Sequence, residues 1–126
     1  MLPGSLALWS GAYLHEVALR VDQVALMSYD TALSTVETYA GYVRRTTEAA
    51  LAAVPPEVDL FIGVPAYHEE SFYHHAEAET LGPALRGVRL ALGAESSLRC
   101  GHICGLHHHR RGLGHVPPRM AVMIAR

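Results

Sequence analysis

Two short apolar runs separated by one long helical stretch constrain the fold of this chain more than any other feature. Gln23–Tyr29 and Asp59–Pro65 have the length and mostly apolar composition of strands that are buried on both faces of a sheet. Between them, residues 35–54 repeat apolar side chains at helical spacing, and Pro55-Pro56 ends the repeat. The pattern predicts a right-handed βαβ unit in a parallel sheet.

Further helices are expected on either side of this unit. One should run from Gly11 to about Arg20, and another from Leu81 to Leu92, where Gly93 supplies a stop. Two strands are too few for a complete parallel sheet. A full (β/α)8 barrel takes ~250 residues, and this chain has 126. We therefore expect an α/β fold that is part of a larger domain.

The composition changes abruptly near Ser96. Residues 1–95 hold all twelve acidic residues, all nine aromatic residues and five arginines. Residues 96–126 hold the other five arginines, both cysteines and five of the nine histidines, with no acidic residue. We therefore expect 1–95 to be the folded part of the domain and 96–126 to be an irregular Arg/His/Gly-rich tail. No apolar run approaches the ~20 residues that span a bilayer, and no signal peptide or membrane partner is expected.

Two motifs at the predicted strand ends carry a family resemblance. Residues 22–30 (DQVALMSYD) resemble the sixth barrel strand of the family 18 (chitinase-like) glycoside hydrolases, which ends in Met-x-Tyr-Asp. Residues 62–67 (IGVPAY) are similar to their seventh strand, which carries Gly-Ile-Pro-x-Tyr. The resemblance covers roughly residues 9–93. It implies a partial (β/α)8 barrel, about strands six and seven with their helices, from a parent that hydrolyses glycosidic bonds.

The resemblance also implies a sugar-binding role for residues at these strand ends. Met27 and Tyr29 would line a sugar subsite, Asp30 would hydrogen-bond a polar substituent, and Tyr67 would lie beside them. Barrel enzymes work at the carboxyl ends of their strands, which is where these side chains fall. The alternative is that Tyr29 and Asp30 only end a strand and cap the next turn.

Departures from the family pattern limit what the chain itself can do. The Asp-x-x-Asp-x-Asp-x-Glu motif that carries the family's acid is absent, so no catalytic residue is assigned and the chain alone is expected to be inactive. After Tyr67 the chain reads His68-Glu69-Glu70 in place of Gly-Arg, so chitin is not the expected substrate. We expect no cofactor, and the partner is the carbohydrate substrate of the parent. A parent of the usual polysaccharide-hydrolase type would be exported.

The loop from residue 66 to about 79 is rich in histidine and glutamate. Imidazoles and carboxylates are common metal ligands and proton carriers, but their spacing here matches no established metal site. We therefore expect a solvated loop at the active-site face. His75 and Glu79 are the candidates for anchoring it.

The tail offers a second function class. A zinc site could use Cys100, His102, Cys104 and His107. Without acidic or aromatic residues, however, the tail has little with which to fold around an ion. A third possibility is a non-catalytic interaction module with a basic arm. Nucleic acid is not an expected partner, because no aromatic residues interleave the arginines.

A change of reading frame accounts for the tail better than zinc does. One permitted set of synonymous codons, read from the second base of the Arg99 codon, encodes GAAIYADYTTTDEDWATY. That peptide has an apolar strand, a Thr/Asp cap and an amphipathic helix, which is the βα unit that the barrel lacks. We expect a one-base frame error between Glu95 and Arg99.

Overall fold

The computed structural model describes residues 10–93, 104–106 and 119–125, and for residues 104–106 and 125 the backbone alone. Its helices are α1 (Gly11–Ala18), α2 (Val36–Ala53) and α3 (Leu81–Leu92). These are the helices that the sequence predicts, except that α1 ends two residues before Arg20. None of the helices in the described part of the chain is long and apolar enough to cross a membrane.

Local hydrogen bonds fix where the helices begin and end. The hydroxyls of Ser10 and Thr35 accept hydrogen bonds from backbone N–H groups of the first turns of α1 and α2, at 3.1 and 3.2 Å. Gly93 follows α3 in the left-handed region, at a φ of 62°. A residue without a Cβ adopts that conformation at little cost, so Gly93 closes the helix.

The strands are β1 (Gln23–Met27), β2 (Asp59–Pro65), β3 (Cys104–Leu106) and β4 (Met120–Ala125). They form one sheet in the order β1-β2-β4-β3. β1, β2 and β4 are parallel, whereas β3 pairs antiparallel with β4. The chain therefore has a mixed α/β fold built on a three-stranded parallel sheet, and the predicted α/β class is confirmed at this level.

The expectation of an irregular segment from 96 to 126 was wrong for the residues of β3 and β4. Met120–Ala125 reads MAVMIA, six apolar residues without a charge. β2 would otherwise present an open edge, and pairing with it satisfies the backbone hydrogen bonds of this run. The pairing begins where the Leu60 N–H donates to the Arg119 carbonyl at 2.7 Å. The strand therefore forms although its surroundings in the sequence are polar.

One face of the sheet is covered by α2 and α3, and the core lies between them. The side chains that face the helices alternate along the strands: Val24, Leu60, Ile62, Val64, Met120 and Val122. They pack with apolar side chains of α2 and α3, among them Val43 and Val88. The other face carries Ala25, Phe61, Met27 and Met123, and Met27 is 67% exposed. In the described part of the chain, this second apolar face is not covered by a helix.

The close approach of α3 to α2 depends on Gly87. A Cβ added at this position would lie 2.6 Å from the Ala40 carbonyl oxygen and 2.8 Å from the Val43 Cβ. The backbone of one helix therefore contacts the other directly. By contrast, a Cβ at Gly82, also in α3, would have no atom within 4 Å.

We expect Gly87→Ala to lower the free energy of unfolding by about 1–3 kcal/mol, because the helices must separate to admit the methyl group. Gly82→Ala is the matched control, and it should be neutral or stabilising by up to about 1 kcal/mol through helix propensity. Urea denaturation followed by far-UV circular dichroism measures both. Equal stability of the two variants would contradict the close helix contact.

Candidate functional site

The parallel strands end at one edge of the sheet, and the loops that follow β1 and β2 meet there. Met27 at the end of β1 is in register with Gly63 of β2. The Ser28 N–H then donates to the Gly63 carbonyl at 2.9 Å. The loop after β1 and the loop from residue 66 to 80 therefore start side by side.

This edge brings the predicted sugar-subsite residues together. The Tyr67 hydroxyl donates to Asp30 Oδ1 at 2.6 Å. The rings of Tyr29 and Tyr67 meet edge to face, with centroids 6.2 Å apart. Gly63 leaves the space for Tyr29, since a Cβ there would lie 3.3 Å from the ring. Met27 is in register with Gly63 and so lies on the same sheet face.

The Tyr67 hydroxyl is held in its protonated form. Burial raises the pKa of Tyr67 above the usual range, and the hydrogen bond to Asp30 and the negative charge of Asp30 raise it further. The hydroxyl therefore donates to the carboxylate throughout the neutral pH range. This leaves the other oxygen of Asp30 and the exposed parts of the two tyrosine rings for a ligand.

Behind Asp30 and Tyr67, the side chains of Glu79 and His74 form a buried polar contact. Glu79 is 0% exposed and His74 is 1% exposed. The Thr31 N–H donates to Glu79 Oε1 at 2.7 Å, and the Thr31 hydroxyl donates to the same oxygen. His74 lies against Tyr67, with ring centroids 4.5 Å apart. We call Asp30, Tyr67, His74 and Glu79 the polar cluster.

The polar cluster contains buried atoms without hydrogen-bond partners. His74 Nδ1 lies 2.7 Å from Glu79 Oε2 and 3.2 Å from Asp30 Oδ1. Neither contact has the direction of a hydrogen bond, so within the described residues both ring nitrogens of His74 and the Oε2 of Glu79 stay unsatisfied. Nδ1 and Oε2 are nevertheless close to Asp30 Oδ1. Three polar atoms therefore converge on one place.

The turn after β1 has an uncommon backbone conformation, which hydrogen bonds to Glu79 stabilise. Asp30 and Ala32 both have positive φ, at 56° and 59°. Residues with a Cβ are disfavoured there by roughly 1–2 kcal/mol each. This conformation directs the Thr31 N–H to Glu79, and the Ala32 N–H donates to the Tyr73 carbonyl at 2.8 Å. The loop after β2 therefore determines where Asp30 lies.

The other predicted loop anchor, His75, lies at the surface of the same loop. Its Nδ1 is 3.0 Å from Glu70 Oε1, and the Ala76 N–H donates to Glu70 Oε2 at 2.8 Å. The Ala76 N–H is also the main reason that the pKa of Glu70 is lowered, with His75 adding to it. This contact closes the loop locally, whereas Glu79 ties it to the turn after β1.

The expectation of a solvated loop was wrong for His74 and its neighbours. His74, Ala76 and Ala78 are buried, because the chain forms a tight turn here in which the N–H groups of Ala78 and Glu79 both donate to the His75 carbonyl. The two small apolar residues, Ala76 and Ala78, were the signal in the sequence that part of this loop is buried.

The alternative zinc site falls mostly on residues outside the described part of the chain. Cys100, His102 and His107 lie outside the described residues, and only the backbone of Cys104 is described. Comparison of the chain with protein-family models, with curated proteins and with solved structures gives no match.

We expect Glu79→Ala to lower the free energy of unfolding by about 2–4 kcal/mol, because it leaves the Thr31 N–H unpaired and His74 buried without a carboxylate. Glu77→Ala in the same loop is the matched control: the Glu77 side chain is 95% exposed, and its loss should change stability by less than about 0.5 kcal/mol. Thermal denaturation compares the two variants. If Glu79→Ala has the same melting temperature as the wild type, the buried Glu79 contact does not hold the two loops together.

Proposed function

We propose that this chain is the C-terminal part of a glycoside hydrolase-like (β/α)8 barrel and that the polar edge of its sheet binds carbohydrate in the parent protein. β1 and β2 would be the sixth and seventh barrel strands. The observation that carries the proposal is the meeting of Tyr29, Asp30 and Tyr67 at the carboxyl ends of two adjacent parallel strands.

The uncovered sheet face supports the barrel. Parallel sheets are normally buried on both faces, and here α2 and α3 cover only one face within the described residues. The opposite face is apolar, with Phe61 at its centre between Ala25 and Ala121 in register. In a closed barrel such a face packs against the side chains of the other strands. Tyr29 lies on this inner face, over Gly63.

The chemistry of the edge suits a sugar. Carbohydrate recognition combines directed hydrogen bonds with aromatic surfaces, and Asp30 with the two tyrosines supplies both. Asp30 is half exposed, so its second oxygen is accessible to a hydroxyl or amide substituent. In the proposed parent, this carboxylate positions the substrate and Met27 extends the subsite at the end of β1.

The proposal assigns no catalytic acid to this chain. The four acidic positions of the family motif belong to a strand that precedes β1 in the barrel, and the sequence has no such motif. We therefore expect the purified chain to show no hydrolysis of chromogenic glycosides. Measurable turnover that survives purification to constant specific activity would contradict the assignment.

Sequencing the DNA across codons 90–126, with several hundred bases upstream of Met1, tests two claims: that the chain is a fragment of a longer protein, and that a frame error precedes the tail. We expect an open frame upstream that encodes further βα units, and a shifted frame after codon 95 that reads through to Ile-Tyr-Ala-Asp. Third bases that forbid the shifted peptide would overturn the frame error. In that case Met120–Ala125 is the evolved strand beside β2.

Sugar binding by the edge has its own test. We expect weak binding of short β-linked oligosaccharides to the chain, seen as saturation transfer in NMR. Tyr67→Phe should weaken it about fivefold, because the hydroxyl that orients Asp30 is worth about 1 kcal/mol. Tyr73→Phe, an exposed tyrosine outside the Asp30–Tyr67 contact, is the matched control. Equal binding by both variants would contradict the subsite.

A further inference from the structure

We propose that Asp30, His74 and Glu79 bind one divalent transition-metal cation. The inference does not rest on the proposed function, because a cation could bind here whatever the parent acts on. It starts from the geometry: one ligand atom from each residue, an imidazole nitrogen and two carboxylate oxygens, lie within 4.8 Å of one another. Two of these three atoms belong to side chains that are almost completely buried.

The polar cluster brings two carboxylates together, and no arginine among the described residues pairs with either of them. Glu79 is buried, and a buried carboxylate without a cationic partner is strongly destabilising. The six arginines among the described residues are all exposed. Their ion pairs are with Glu16, Glu48 and Asp59, away from this edge. Among the described residues, His74 is the one basic side chain in contact with both Glu79 and Asp30, and a bound cation would supply a charge that pairs with the two carboxylates.

The orientation of the His74 ring suits a bound ion. Its Nδ1 lies close to one oxygen of each carboxylate, yet neither oxygen lies in the direction of a hydrogen bond from the ring. A metal ion needs the lone pair of Nδ1 and not a hydrogen bond between the ligands. It would use the two unsatisfied buried atoms, Nδ1 and Glu79 Oε2, together with Asp30 Oδ1.

The donor set indicates the class of ion. Imidazole favours zinc, cobalt, nickel and iron, and carboxylates are shared with harder ions such as manganese. Two carboxylates and a neutral imidazole together carry a charge of −2, which balances the charge of a divalent cation. Ligand atoms around a zinc-sized ion lie about 3 Å or more apart, so His74 and Glu79, at 2.7 Å, must separate by a few tenths of an ångström when the ion binds.

The surroundings of the cluster resemble those of metal ligands elsewhere. Thr31 holds the second oxygen of Glu79, and the Tyr67 hydroxyl holds Asp30. Such hydrogen bonds orient carboxylates for a metal. The Asp30 side chain is 49% exposed, so an ion can enter from this side. Three protein ligands would leave a coordination position that faces the same edge as Tyr29.

Cobalt(II) absorption tests the site in the full chain. Titration of metal-free protein with Co²⁺ should give visible ligand-field bands that saturate near one equivalent. Asp30→Asn should weaken this binding at least tenfold, while Glu77→Gln, an exposed carboxylate of the same loop, should leave it unchanged. Asparagine keeps the size of Asp30 and tolerates positive φ, so the fold should persist. Circular dichroism confirms that it does.

A second variant distinguishes Co²⁺ binding at the proposed site from Co²⁺ binding by the cysteines of the tail. Cys100→Ser combined with Cys104→Ser removes the thiolates, whose binding of Co²⁺ would add a charge-transfer band in the near ultraviolet. We expect this variant to keep the ligand-field bands that Asp30→Asn loses. Equal Co²⁺ binding by wild type and Asp30→Asn, loss of binding only with the cysteines, or no binding at all would each overturn the proposal. The saturation-transfer measurement in EDTA reports on sugar binding separately, so failure of one proposal does not decide the other.

Discussion

A buried carboxylate without an arginine partner holds together the two loops that form the candidate site. Glu79 lies at the end of one loop and accepts hydrogen bonds from the Thr31 backbone and hydroxyl in the other. These bonds stabilise a turn in which Asp30 and Ala32 adopt positive φ. Asp30 meets Tyr67 because of that turn, and His74 is buried because Glu79 is beside it. The arrangement of Asp30, Tyr67 and His74 at this edge therefore depends on where the Glu79 carboxylate is buried.

The helices support this edge from the other side. Tyr39 of α2 is fully buried, and its hydroxyl donates to the Ser28 carbonyl at 2.6 Å. Burial first, and then the negative charge of Glu79, raise the pKa of Tyr39 well above its usual range, so this hydroxyl remains a donor. α2 is in turn held close to α3 at Gly87. The end of β1 is thus fixed between a helix behind it and a loop in front of it.

The main elements could be predicted from the sequence because their periodicities are strong. α2 and α3 have helical repeats with clear stops, and β2 is an uninterrupted apolar run. β4 could not be predicted in the same way, since its six residues find a partner only when β2 offers an open edge. The family resemblance at the strand ends implied Met27, Tyr29, Asp30 and Tyr67 as site residues. His74 was missed because its burial depends on Glu79, five residues away, and on a tertiary contact that local patterns do not encode.

The position of β4 has a consequence for the order of folding. One edge of β2 pairs with β1, and only one helix separates these two strands in the sequence. The other edge of β2 pairs with residues 120–125, which are synthesised about sixty residues later. The helices and the first two strands can therefore assemble while one edge of β2 still exposes its backbone N–H and C=O groups. An exposed strand edge recruits other chains. Interruption of synthesis between α3 and β4 would leave a partly folded species whose exposed strand edge lies in the middle of the four-stranded sheet.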